Sequence, residues 1–275
     1  MLSKLIKYEF RAMAKTFFYL YIALVAITLV NVFTNPLGAL MQTGGGGQGA
    51  AGGHGPEIFA EAIKGLAFAL YIVLILAVAF VSVVLVVRRF YTNLLGDQGY
   101  LTLTLPAGRE QHMAAKLIVG VVWNTISAVL IGLTILLQVS VMGNKNYIIE
   151  FFGAVDPLNI FLGILLAIVG TASFFLMTYA AMAIGPNLVK NHRLGGSILA
   201  FVIIVVIYQI LSSLFMAGGL MWNISNPFRP DMGSEALTNS IGSSLMVVSI
   251  AMYAVTGVIC WFLTRFMLRK KLNLA

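Results

Sequence analysis

The sequence predicts an all-α membrane protein with six transmembrane helices. Of its 275 residues, 60% are hydrophobic and only 9% are charged, whereas a soluble domain carries about 25% charged residues. The apolar residues form six stretches of the length that a membrane-spanning helix needs, and none alternates in polarity like the strands of a membrane barrel. The six predicted spans, none of which contains Asp, Glu, Lys or Arg, are residues 17–33, 65–87, 117–141, 158–184, 197–221 and 245–264.

The charged residues lie between the predicted spans and predict the orientation of the chain. One side carries fourteen Lys and Arg against three Asp and Glu, and the other carries three against six. Because basic residues are enriched in cytoplasmic loops, both termini are expected in the cytoplasm. Residues 1–275 are therefore predicted to be a single, multi-pass domain of the cell (cytoplasmic) membrane. Topology accounts for the net charge of +8, so no nucleic-acid partner is expected.

Residues 1–16 are predicted to form an amphipathic helix that lies in the membrane interface before span one. Its apolar residues share one face, and four basic residues occupy the opposite face. Glu9 breaks this pattern, because it lies in the apolar face with no basic residue three or four positions away. Either its side chain reaches the interface, or a cation from elsewhere meets it. The candidate cations are Arg88, Arg89 and Arg109.

The composition of two predicted loops indicates different roles. Residues 34–62 form an outer loop whose glycine-rich run, GGGGQGAAGGHG, is typical of a flexible tether and lacks the Lys-Ser/Thr ending of a phosphate-binding loop. The cytoplasmic loop 88–116 is different, because it carries apolar residues between turn signals at Gly96, Gly99 and Pro106. Exposed apolar residues next to charges indicate a partner surface. The alternative is that they lie on the membrane or pack beneath the helices.

The spans lack the residues that most membrane chemistry needs. No ionisable side chain lies within a predicted span, and all three His lie in loops, which argues against proton or sodium coupling at the midplane. The usual intramembrane enzymes are also excluded, since no HExxH motif or aspartate pair is present. A single Cys excludes a disulfide framework, and no metal site is expected. A stand-alone channel stays an alternative, although no filter-like sequence or charged ring is present.

Uncharged polar residues are the remaining polar feature of the spans. They have two interpretations: hydrogen bonds between helices, or a mildly polar wall along a pathway for an amphipathic substrate. The thirteen Met of the chain would make such a wall adaptable. The candidate pathway residues are Asn124, Ser127, Thr134 and Gln138 on span three, Thr171 and Thr178 on span four, and Gln209 and Ser213 on span five.

A transport-like chain with no coupling-ion site and no nucleotide motif needs an external source of energy. The amino-terminal LSKLIKYEFRAMAKTF, the stretch LLGDQGYLTLTLPAGREQHMAAKL and the six-span plan resemble the membrane subunit (permease) of a type-2 ABC exporter from Gram-positive bacteria. By this resemblance, the first sixteen residues correspond to an elbow helix that includes Glu9, Phe10 and Arg11. The ATPase-coupling element corresponds to Leu94, Leu95, Gly96, Asp97, Gln98, Gly99 and Tyr100.

The resemblance also implies partners and a function. Two ATPase subunits and a second permease copy, identical or a related paralogue, would complete the transporter within the membrane lipids. The chain itself would not be an enzyme and would hold no cofactor, since ATP and Mg²⁺ would bind to the ATPase partner. The expected cargo is a hydrophobic or amphipathic substrate, with peptide favoured. The alternatives are export of a lipid or drug, or a membrane sensor or anchor for an ATPase without transport.

Overall fold

The six apolar stretches fold into six α-helices in the computed structural model. The structure describes residues 2–34, 55–92, 108–141, 153, 156–189, 193–225 and 234–270, and these residues contain no β-strand. The all-α fold class is therefore confirmed. The helices are α1 (Leu2–Thr34), α2 (Gly55–Phe90), α3 (Arg109–Val141), α4 (Pro157–Leu188), α5 (Arg193–Ser225) and α6 (Ser234–Lys270).

All six helices are long and apolar enough to cross a membrane, which is the architecture of a multi-pass membrane protein. The shortest has 32 residues and the longest has 37. At 1.5 Å per residue, 32 residues extend for about 48 Å, whereas the hydrocarbon core of a bilayer is about 30 Å thick. Each helix is therefore longer than the apolar layer, and its charged end turns are not confined to that layer.

Residues 2–16 are helical and continue into the first span without a break. The reason is local, because α1 contains neither Gly nor Pro, the residues that interrupt helices. The structure thus has one helix where an elbow helix and a span were distinguished in the sequence. Lys4, Lys7, Arg11 and Lys15 are exposed, and Met13 and Phe17 are buried, but Phe10 of the predicted apolar face is exposed. The interfacial position of residues 1–16 stays a prediction.

The predicted loop 88–116 is helical at both ends. Helix α2 continues to Phe90, and α3 begins at Arg109, where the Gly108 carbonyl oxygen accepts hydrogen bonds from the amides of Gln111 and His112. The coupling residues Leu94–Tyr100 lie outside the described residues. Most of the glycine-rich loop 34–62 does too, but its last part is helical, because α2 begins at Gly55.

The chain divides into two compact units. Helices α1, α2 and α3 contribute to both units, whereas α4, α5 and α6 belong to unit 1 alone. Unit 1 comprises Met1–Glu9, Leu85–Val122 and Val155–Ala275, and unit 2 comprises Phe10–Val84 and Trp123–Ala154.

In unit 1, α4 packs against α5 and α6 through small residues. A Cβ atom on Gly185 would overlap the backbone nitrogen of Ser197, and one on Gly196 would overlap the Gly185 carbonyl oxygen. The backbones of α4 and α5 therefore touch at this point. On the other side of α4, the Ser173 hydroxyl donates a hydrogen bond to the Tyr253 carbonyl oxygen at 2.6 Å. Close approach through Gly and Ser is typical of membrane helices.

In unit 2, the core consists of apolar side chains from α1, α2 and α3. Leu24, Tyr71 and Val78 are buried at its centre, and Leu130 and Ile131 of α3 are among the side chains that pack around them. Asn31, which is fully buried, donates a hydrogen bond to the Ala67 carbonyl oxygen at 3.1 Å.

Candidate functional site

Three charged side chains in unit 1 form an ion-pair cluster, which we call the Glu9 cluster: Glu9, Arg89 and Lys116. One Glu9 carboxylate oxygen accepts a hydrogen bond from Arg89 Nη1 at 2.7 Å, and the other accepts one from Lys116 Nζ at 2.5 Å. Only 4% of the Lys116 side chain and 17% of the Glu9 side chain are exposed. The cluster is thus largely shielded from solvent, where ion pairs are stronger than at a surface.

Each member of the Glu9 cluster lies near the end of a different helix. Glu9 is in the second turn of α1, Arg89 is the last residue but one of α2, and Lys116 is about two turns after the start of α3. Helices α2 and α3 are connected by residues 91–108. A single carboxylate on α1 therefore binds both helices that flank this connection.

The sequence predicted part of the Glu9 cluster. Arg89 was one of three candidate cations for Glu9, and the structure brings the two together. Arg88 is exposed, and the side chain of Arg109 lies outside the described part of the chain. Lys116 was missed, because it was counted as the last residue of a loop. Continuing the helical period of span three back to Arg109 would have placed it on α3.

Two buried polar side chains accompany the Glu9 cluster in unit 1. The Tyr179 ring stacks on Phe90 with 3.7 Å between ring centroids, and Tyr179 is fully buried. His112 lies one turn before Lys116 on α3 and is 3% exposed. The Tyr179 hydroxyl and His112 Nε2 have no hydrogen-bond partner among the described residues. Both side chains are within electrostatic reach of Glu9.

A second ion pair in unit 1 joins α3 to α6. Arg265 Nε donates a hydrogen bond to a Glu110 carboxylate oxygen at 2.8 Å. Both side chains are about one-third exposed, so this pair contributes at most about 1 kcal/mol. The first turn of α3 therefore contacts α6, whereas Lys116, about two turns into α3, contacts α1.

The other two elbow residues, Phe10 and Arg11, belong to unit 2. Arg11 is exposed, whereas the Phe10 ring stacks on the indole of Trp123, with 4.6 Å between centroids. Phe17, two turns further along α1, stacks on the same indole at 4.6 Å. Trp123 of α3 thus contacts two rings of α1, a contact that the sequence did not reveal.

Three of the four candidate pathway residues on α3 bond to neighbouring helices of unit 2. We call these hydrogen-bonded pairs the polar ladder. Its pairs are Tyr21–Ser127 at 2.8 Å, Ser82–Asn124 at 3.0 Å and Tyr71–Thr134 at 3.3 Å. The ladder thus uses its α3 side chains for hydrogen bonds between helices, which fits the first of the two interpretations. Gln138 is buried, and its Oε1 has no partner among the described residues.

The candidate pathway residues of α4 and α5 belong to unit 1. The hydroxyls of Thr171 and Thr178 donate to carbonyl oxygens of their own helix at 2.7 and 2.8 Å. Gln209 and Ser213 are exposed on α5, which is the least buried of the six spans. Ser213 donates to the Ile210 carbonyl oxygen of its own helix.

Comparisons with known proteins identify no relative of this chain. The chain matches no protein-family model, no curated protein and no solved structure. Within the described ranges, no group of three His, Cys, Asp or Glu could hold a metal ion.

Proposed function

We propose that this chain is the membrane subunit of an ATP-driven exporter of the cell membrane, with both termini in the cytoplasm. It works with a separate ATPase and a second membrane subunit. It moves a hydrophobic or amphipathic substrate, with peptide as the favoured class, out of the cell. The observation that supports this proposal most is the Glu9 cluster, because one carboxylate binds both helices that flank residues 91–108.

An ATP-driven transporter must pass movement from its ATPase contact to its spans. The resemblance puts that contact at Leu94–Tyr100, between α2 and α3. A displacement of this segment acts on the last turn of α2 and the first turns of α3. The ion pairs of Arg89 and Lys116 with Glu9 extend that displacement to α1. Charge-assisted hydrogen bonds suit this task, since they are short and strong.

The first test is co-purification of the full chain, in detergent, with the ABC-type ATPase encoded next to it. We expect a stoichiometric complex, which is lost when residues 95–100 are replaced by a Gly/Ser linker of equal length. The matched control replaces residues 142–147, a segment between α3 and α4 on the predicted outer side, with the same linker. The control is expected to keep the complex, because the ATPase is a cytoplasmic protein.

Two results would contradict the proposal. If the chain purifies without the ATPase, or retains it regardless of residues 95–100, the coupling assignment fails. A complex that hydrolyses ATP in liposomes but moves no amphipathic peptide, lipid or drug would instead favour the sensor or anchor alternative. Ion conductance by the chain alone would favour a channel.

A further inference from the structure

The Glu9 cluster contains more positive than negative charge. Two cations, Arg89 and Lys116, share the single carboxylate of Glu9, so the three side chains sum to one positive charge. The other carboxylate of the adjoining helix turns, Glu110, is bonded to Arg265. Among the described side chains no further carboxylate forms an ion pair with the cluster, and a shielded charge without a counter-charge is unfavourable. The balance is unusual for a side chain as buried as that of Lys116.

The guanidinium of Arg89 has one edge in use and one edge free. Its contacts with the Glu9 carboxylate and backbone carbonyl both use Nη1. Within the described residues, Nε and Nη2 have no protein partner. The side chain as a whole is 31% exposed. The planar fork of Arg matches the geometry of a phosphate, which it binds through two parallel hydrogen bonds.

Two further groups in unit 1 lack partners of their own. The Tyr179 hydroxyl and His112 Nε2 are buried without a hydrogen-bond partner in the described part of the chain. Buried polar atoms are nearly always bonded, so these two are exceptions that need a reason. In other proteins such atoms are satisfied by ordered water or by a bound polar group.

The cluster lies near helix ends, where lipid phosphates are expected. Helices α1, α2 and α3 have 33, 36 and 33 residues and are therefore more than about 18 Å longer than the hydrocarbon core, and all three cluster residues lie within about two turns of a helix end. Exposed cations of the same unit, Lys4 and Lys7, extend the positive field. Basic residues at a membrane surface attract anionic headgroups by about 1 kcal/mol each.

We propose that the Glu9 cluster is a binding site for a phosphate-bearing anion, which docks on the free edge of Arg89 and is held by the surplus charge of Lys116. The anion is supplied by an anionic lipid headgroup or by free phosphate. This site does not depend on the proposed export function, because its evidence is charge balance and geometry alone.

The test measures how tightly the purified full chain, in a neutral detergent, binds dioleoylphosphatidylglycerol by native mass spectrometry. Dioleoylphosphatidylcholine, which carries no net charge, is the reference lipid and is expected to bind more weakly. Lys116→Gln should weaken phosphatidylglycerol binding about tenfold, since it removes the surplus charge. Glu9→Gln should strengthen phosphatidylglycerol binding, because the surplus positive charge of the cluster rises. A purely structural ion pair predicts no such gain.

The control variant is Lys7→Gln, which removes an exposed charge from the same helix and should change the affinity less than about twofold. Lys116→Arg should keep binding, and Arg89→Lys should lose it despite an unchanged charge. This last variant keeps the test usable if Lys116→Gln fails to fold. Equal binding of both lipids, or equal losses for Lys7→Gln and Lys116→Gln, would overturn the proposal.

Inorganic phosphate distinguishes the two sources of the anion. If millimolar phosphate displaces phosphatidylglycerol from the unchanged chain and equally from the binding-competent control Lys7→Gln, free phosphate is a ligand of the site. If phosphate displaces nothing while the variants behave as expected, the ligand is the lipid headgroup. Weaker lipid binding by Glu9→Gln would contradict both sources.

Discussion

Unit 1 and unit 2 hold their helices together in different ways. In unit 1, the contacts between helices depend on particular residues. One carboxylate is shared by two cations, and the backbones of α4 and α5 touch at Gly185 and Gly196. In unit 2, uncharged hydroxyls and amides pair along the polar ladder. An apolar core around Leu24 surrounds them.

The difference shows how stability depends on single residues in each unit. A hydrogen bond between membrane helices contributes about 0.6 kcal/mol on average. Removing one partner of a buried ion pair costs about 3–5 kcal/mol, and forcing a side chain into a close contact costs about 1–3 kcal/mol or more. We therefore expect single substitutions in unit 1 to matter more than single substitutions in the polar ladder.

The largest effect is expected at Gly185. In Gly185→Leu, the new side chain would overlap the backbone of Ser197, which cannot yield without moving α5. The free energy of unfolding should fall by about 3 kcal/mol or more, as measured by titrating the micellar protein with a denaturing detergent. The matched control is Gly163→Leu on the same helix, where a Cβ atom meets nothing within 4 Å. Equal losses at both positions would contradict the close contact.

An intermediate effect is expected for Glu9. Glu9→Gln leaves Lys116 shielded without a carboxylate and should lower the free energy of unfolding by about 2 kcal/mol, less than a fully buried pair because Arg89 can turn to solvent. The double variant with Lys116→Gln should lose less than the two single variants added together. Additive losses in the same denaturation experiment would mean that the two side chains do not interact.

The smallest effect is expected in the polar ladder. Tyr71→Phe removes the hydroxyl that donates to Thr134 at 3.3 Å and keeps the ring in the core, so it should cost about 0.6 kcal/mol. Tyr19→Phe is the control, because Tyr19 is 64% exposed, and it should leave unfolding unchanged. A loss above about 2 kcal/mol for Tyr71→Phe would remove the contrast between the two units.

The sequence was sufficient for the number and type of the helices but not for their ends. Apolar runs identified the spans, because membrane helices need about 20 apolar residues. Helix α3 nevertheless begins at Arg109 rather than at residue 117, since a charged helical turn has no apolar signature. For the same reason Lys116 was placed in a loop, and the second cation of Glu9 was missed.

The candidate site was predictable where a residue broke the pattern of polar and apolar faces of its helix. Glu9 stood out because a carboxylate on an apolar face needs a cation. Arg89 could be proposed as that cation because it is predicted on the same side of the membrane as Glu9. The partners of the polar ladder gave no such signal. Tyr21 and Tyr71 count as apolar within a span, and only packing shows which hydroxyl faces Ser127 or Thr134.

The stacking of Trp123 between Phe10 and Phe17 gives the protein a native optical reporter. An indole enclosed by two aromatic rings emits at a shorter wavelength than one in water, and its emission changes when either ring moves away. With Trp222 and Trp261, the other two tryptophans, replaced by Phe, the fluorescence of Trp123 would follow the movement of α1 against α3 in real time without any attached label.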